Sequence, residues 1–126
     1  MLNKVIIMGR LVKDPELRRT QSGVAVTSFS LAVERDYKSQ SGERETDFID
    51  VVAWRHAAEF AAKYLDKGRM AAVTGSLQGR SWEDKDGNKR RSIEVLADSL
   101  YFADSKREET TGRGVDVSAD DFQEVE

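Results

Sequence analysis

The chain has 126 residues, 39% hydrophobic and 34% charged, which suits one domain with a buried core and a heavily charged surface. With no cysteine and a single histidine, His56, thiolate and histidine metal centres, disulfides and thiol nucleophiles are excluded together, and no metal or cofactor is expected. The net charge of −3 conceals a division: residues 1–103 carry 17 basic and 15 acidic side chains, whereas residues 104–126 carry 3 and 8.

The pattern of the first 103 residues is mostly that of strands. Residues 4–12 are rich in β-branched and aliphatic side chains and stop before Asp14-Pro15, where proline cannot continue a central strand. Residues 24–35 follow Ser22-Gly23 and alternate Phe29, Leu31 and Val33 onto one face. Residues 36–46 are polar and read as a long loop of the kind that carries function. In residues 47–54, Ile49, Val51 and Ala53 share one strand face, and Phe48, Asp50, Val52 and Trp54 share the other.

The period then changes. Ala57, Phe60, Ala61, Tyr64 and Leu65 form the stripe of an amphipathic helix, with Lys67-Gly68 as a basic last turn and glycine stop. Residues 69–82 return to a strand, with Gly75 and Gly79 as expected bulges or bends. Asp86-Gly87 marks a hairpin turn, and residues 91–102 form the returning strand. Five strands with one helix between the third and fourth is the order of an all-β OB-fold, a Greek-key barrel that binds oligonucleotides or oligosaccharides across its strand face and loops.

Residues 104–126 are expected as a disordered acidic tail, because five carboxylates beyond Gly114 are accompanied by no base and few apolar groups. No apolar run approaches the roughly 20 residues of a membrane span. The start lacks a secretory pattern, so a cytoplasmic setting is expected.

The aromatics separate core from candidate site. Phe29, Phe60 and Tyr64 lie on apolar stripes, Tyr101 and Phe102 end the last strand, and Phe122 lies in the tail. Tyr37, Phe48, Trp54 and Trp82 remain, each in or beside a segment that carries arginine or lysine. Rings interleaved with cations suit single-stranded nucleic acid, because bases stack on rings while cations track phosphates. Local charge and strand placement add Arg10, Lys13, Arg35 and Arg55 as phosphate contacts. Asp47 and Asp50 are three apart, on opposite faces of a strand, and so are poorly placed to share a catalytic ion; no enzyme activity is expected. His56 reads as a helix-start residue or phosphate contact. Lys89-Arg90-Arg91 is equally a phosphate clamp or solvated loop charge.

Residues 3–11 (NKVIIMGRL), 14–18 (DPELR), 47–54 (DFIDVVAW) and 64–68 (YLDKG) together resemble the bacterial single-stranded DNA-binding protein family over roughly residues 1–103. That resemblance implies an OB-fold subunit in a homotetramer, nucleoid-associated, that binds single-stranded DNA without regard to sequence in replication, recombination and repair. It implies base stacking by Tyr37, Phe48, Trp54 and Trp82, and DNA contacts by Arg18, Lys67 and Arg80. The run at residues 4–8 is apolar behind Lys4 and has no proline to blunt an exposed edge, and is the expected pairing strand between subunits. The position of Tyr37 is often tryptophan in the family. Family members typically close on an acidic tip ending in Pro-Phe that docks replication and repair proteins. Here Asp120, Asp121 and Phe122 are the nearest counterpart, and so the candidate partner-docking residues. The alternative from the residues alone is an OB-fold accessory subunit that binds RNA or a protein.

Overall fold

Apolar alternation builds five long strands and one helix in the computed structural model, which describes residues 1–104. The elements are β1 (Val5–Leu11), β2 (Arg18–Arg19), β3 (Ala25–Lys38), β4 (Arg44–Trp54), α1 (His56–Tyr64), β5 (Met70–Glu83) and β6 (Lys89–Phe102). The strands follow in the order β1-β5-β6-β4-β3-β2, and a further β1–β3 pairing closes the five long ones into a barrel. All contacts are antiparallel except β4–β6, where Val51 and Val52 lie beside Val95 and Leu96. This is the OB-fold expected from the element order.

The core is the inward set of that alternation. Phe29 and Leu31 of β3, Val51 and Ala53 of β4, Val73 of β5, and Val95 and Leu100 of β6 are buried, with Leu11 at the end of β1. The helix closes one end by burying Ala58 and Ala61, small residues that let its backbone approach the barrel. Thr27 is the one buried polar side chain among the described residues, and its hydroxyl donates to the Glu16 carbonyl at 2.6 Å. That bond anchors the segment between β1 and β2 across the barrel wall.

Several expectations are corrected. A two-residue strand, β2, is added at Arg18–Arg19, paired with Ala25 and Val26. The long polar loop is mostly hairpin: β3 runs on to Lys38, β4 begins at Arg44, and Lys38 lies across from Arg44. Both faces of that extension meet solvent, so no apolar alternation announces it. Gly75 does mark a register shift, since a side chain there would collide with the Leu96 carbonyl. Gly79 does not, and pairs in regular register with Ile93. The helix ends at Tyr64, before the glycine assigned as its stop. Tyr64 itself is exposed and leans on Phe60 and Phe102, with ring centroids 5.2 and 6.2 Å away.

Asp104, expected as the first tail residue, packs onto the barrel. Its carboxylate accepts from Arg69 Nε and the Met70 amide, both at 3.2 Å. The partner-docking candidates Asp120, Asp121 and Phe122 lie outside the described residues.

Candidate nucleic-acid interface

Strand parity decides which side chains face outward. On β4 the inward set Ile49, Val51 and Ala53 fixes Phe48, Asp50, Val52 and Trp54 on the outer surface. Phe48 is 67% and Trp54 42% exposed. They are six positions apart, about 20 Å along an extended strand, which leaves room for several stacked bases. On β5 the inward Ala71 and Val73 place Gln78, Arg80 and Trp82 outward, and the cross-strand partners of these three on β6 are Glu94, Ser92 and Arg90. The β4–β6 contact joins the two outer surfaces into one continuous face.

Cations are set on this face in two ways. The Arg80 guanidinium lies 4.7 Å from the centroid of the Trp82 ring, a cation–π contact that occupies one ring face and leaves the other free to stack. Lys13 and Arg18, from the segment between β1 and β3, line with Arg80 a groove of about 490 Å³. Four acidic residues, Asp14, Glu16, Asp50 and Glu94, also line it, with Val12, Ser28, Phe29, Ser30 and Val52.

The other candidate residues lie around this face rather than in the groove. Arg55 is exposed, one residue beyond Trp54 at the junction with α1. Its backbone has φ 58° and ψ −123°, the left-handed side that favours glycine. Lys67 is positioned through its amide, which donates to Asp14 Oδ1 at 2.8 Å. Nearby, Arg10 donates to the Gly68 carbonyl at 3.0 Å and lies 3.9 Å from Asp104, so part of its charge is met within the fold.

Arg35 is the most committed of the cations. It makes a two-pronged pair with Asp47, both hydrogen bonds 2.9 Å long, contacts Glu45 at 3.0 Å and donates to the Tyr37 hydroxyl at 3.2 Å. The bonds to Asp47, then that to Tyr37, push the guanidinium further above its ordinary pKa, and the same pair lowers the Asp47 carboxyl. Arg35 therefore acts as a strut that orients Tyr37. Because Asp47 and Phe48 are successive, this cluster lies on the opposite side of the β3–β4 ribbon from Phe48. Tyr37 is thus separated from the face that carries Phe48, Trp54, Arg80 and Trp82, although its ring is open to solvent.

Sequence reasoning left Arg90 open between a phosphate clamp and solvated loop charge, and missed the carboxylates of the groove. Arg90 sits opposite Trp82, with its Nε 2.9 Å from Asp84. The carboxylates of Asp50 and Glu94 line the groove. Parity against the buried Val95 would have placed Glu94 outward, but its meeting with Asp50 depends on the parallel β4–β6 register, which no local pattern encodes.

Comparison with known proteins matches residues 2–103 to the Single-strand binding protein family. The chain is 57% identical over 106 residues to a protein named single-stranded DNA-binding protein from Caldanaerobacter subterraneus subsp. tengcongensis, an alignment that covers 84% of this chain and 71% of the relative. It is 49% identical over 112 residues to single-stranded DNA-binding protein 2 of Listeria monocytogenes, covering 89% and 70%. It is 50% identical over 111 residues to single-stranded DNA-binding protein 1 of Staphylococcus aureus, covering 88% and 71%.

Proposed function

The chain belongs to the single-strand binding protein family, and on that premise we propose that the outer face of β4, β6 and β5 is where it takes up single-stranded DNA. It is a single-stranded DNA-binding protein. The observation that carries the site is the joining of Phe48, Trp54 and the Arg80–Trp82 stack across one sheet face, with Lys13 and Arg18 lining the groove. Bases stack on the rings, cations neutralise phosphates, and neither contact reads sequence. Arg55 and Lys67 extend the cationic path at its margins, with Arg10 beside them, and Tyr37 on its Arg35 strut serves DNA that passes round the β3–β4 hairpin. The role is non-catalytic: the protein covers and organises unwound DNA in replication, recombination and repair, in the cytoplasm at the nucleoid.

Assembly as a homotetramer belongs to the same proposal. The paired β3 contact with β1 is limited to Arg10 and Leu11, with Gly9 packed against Ala32, so the edge over residues 5–8 on that side is free among the described residues. Ile6 and Met8 project beside it, 79% and 55% exposed. A second copy that pairs along this edge would satisfy backbone groups and cover apolar side chains together. Tail residues Asp120, Asp121 and Phe122 are proposed as the attachment point for replication and repair proteins.

The test is a tryptophan-fluorescence titration with equal-length oligo-dT, oligo-rU and duplex DNA. Quenching and tight binding are expected for dT, with log affinity falling against log salt at a slope of about 0.7 per phosphate contacted. Preference for rU or duplex, or a flat salt response, would overturn the proposed interface.

A further inference from the structure

The chain that leaves α1 turns sharply before β5. The turn runs from Asp66 to Arg69 and is closed by a bond from the Arg69 amide to the Asp66 carbonyl at 3.0 Å. Such a turn leaves its two central amides without partners inside it. The amide of Gly68, which holds φ 88°, donates to the Leu11 carbonyl at 2.9 Å. That of Lys67 donates to Asp14 Oδ1 at 2.8 Å, a bond between residues 53 positions apart. The Asp14 side is held as well. Pro15 bars its predecessor from helical backbone, the Val12 amide donates to the Ser30 carbonyl at 3.0 Å, and the Glu16 carbonyl accepts from Thr27. Asp14 therefore fixes the backbones of Lys13 and Lys67 beside each other. Among the described residues none of the three enters an ion pair, so the carboxylate holds both lysines without neutralising either.

Resting on the proposed interface, we propose that Asp14 is a positioning residue for DNA binding, which presents Lys13 and Lys67 as one fixed cationic pair. Its part in the fold is small. Asp14 is exposed, and the turn stays attached to β1 through Gly68 and through the bond from the Leu11 amide to the Arg69 carbonyl at 3.0 Å. A carboxylate beside the path of a polyanion repels phosphate, and the ordering it imposes offsets that repulsion. A lysine on a mobile backbone loses backbone and side-chain freedom when it meets a phosphate, whereas one on a fixed backbone loses only that of its side chain. An ionised acceptor also makes a stronger bond to an amide than a neutral one does. Because Lys13 lines the groove with Arg18 and Arg80, the pair carries the cationic path from the groove to its margin at Lys67.

The experiment titrates oligo-dT into the full chain, Asp14→Asn and Asp14→Ala, each with and without Lys67→Ala. Asparagine and alanine remove the same charge, but only asparagine keeps an oxygen that accepts from the Lys67 amide. Asp14→Asn should bind roughly threefold or more tightly than Asp14→Ala, because the pair stays ordered. Lys67→Ala should cost roughly three- to tenfold beside Asp14→Asn and under about twofold beside Asp14→Ala, since a coupled pair departs from additivity. Equal affinities for the two Asp14 variants, or the same Lys67→Ala penalty in both, would show that Asp14 acts through charge or fold alone and would overturn the inference. Asp14→Glu keeps the charge, displaces the acceptor by one methylene, and supplies the comparison should the alanine variant lose its fold. It should bind less tightly than the parent, and parental affinity there would also overturn the inference. A Lys67→Ala change without effect in the parent would remove Lys67 and this inference but leave the face of β4, β6 and β5 in place. Failure of the unmodified chain to bind oligo-dT would overturn both.

Discussion

Replacing Arg55 by glycine should make the protein more stable and a poorer DNA binder at once. Arg55 holds φ 58° and ψ −123° between Trp54 and the first turn of α1, with no side-chain cap bond. A non-glycine residue in such a region costs about 1–3 kcal/mol, and glycine returns about 0.5–1 kcal/mol of that through its greater unfolded-state freedom. The net gain is about 1 kcal/mol, or about 4–8 °C in Tm for a domain of this size. Arg55→Ala is the control: alanine keeps the Cβ and hence the strain, and it removes the same charge. Calorimetry should rank Arg55→Gly above the parent and Arg55→Ala level with it or below. Salt titrations should show both variants losing affinity, with a slope shallower by about 0.7. Equal Tm values for the two variants would refute the strain argument, and undiminished affinity in both would remove Arg55 from the DNA path.

Trp54→Ala and Trp82→Ala should each weaken oligo-dT binding by about 1–3 kcal/mol per lost stacked base while circular dichroism stays unchanged, because both rings are already open to solvent. A folded double variant with parental affinity would exclude stacking there. Met8→Glu should dissociate the assembly, as read by light scattering, and leave the subunit folded, since Met8 faces outward; retention of the parental mass would move the interface away from β1. The hydrogen bonds from the Asn88 amide, the Arg90 guanidinium and the Asp86 amide depress the Asp84 carboxyl below its ordinary 3.8. Its folded pKa is lower than its unfolded one, so its contribution to stability is present above the unfolded value and lost as pH falls through the folded one. The NMR shift of the Asn88 amide should therefore follow Asp84 ionisation with a midpoint below 3.8, and a midpoint above it would contradict the turn geometry.

Much of this architecture is legible in the chain because inside and outside alternate cleanly where the barrel has a core. Ile49, Val51 and Ala53 against Phe48, Val52 and Trp54 specify a strand, its inner face and its exposed rings in one segment. The pattern is silent where both faces are wet, which is why the outer β3–β4 hairpin reads as loop. Pairings that depend on register are also invisible. Arg35 looks like a free cation beside Tyr37 until β4 brings Asp47 and Glu45 against it. Likewise Asp50 is an unremarkable strand carboxylate until β6 sets Glu94 beside it. The unusual φ of Arg55 carries no sequence signal, because glycine is the residue such a turn would advertise.

A second aromatic and cationic cluster makes the decisive measurement possible. Phe60, Tyr64 and Phe102 gather at the helix, with the Arg69 guanidinium 4.4 Å from the Phe102 ring and Lys63 5.3 Å from that of Tyr64. It shares the chemistry of the proposed interface but not its location. Photocrosslinking of the full chain to oligo-dT carrying 5-iodouracil, mapped by mass spectrometry, distinguishes the two. Crosslinks should concentrate on Phe48, Trp54 and Trp82; crosslinks confined to Tyr64 and Phe102 would contradict the assignment of the β4–β6–β5 face as the DNA surface.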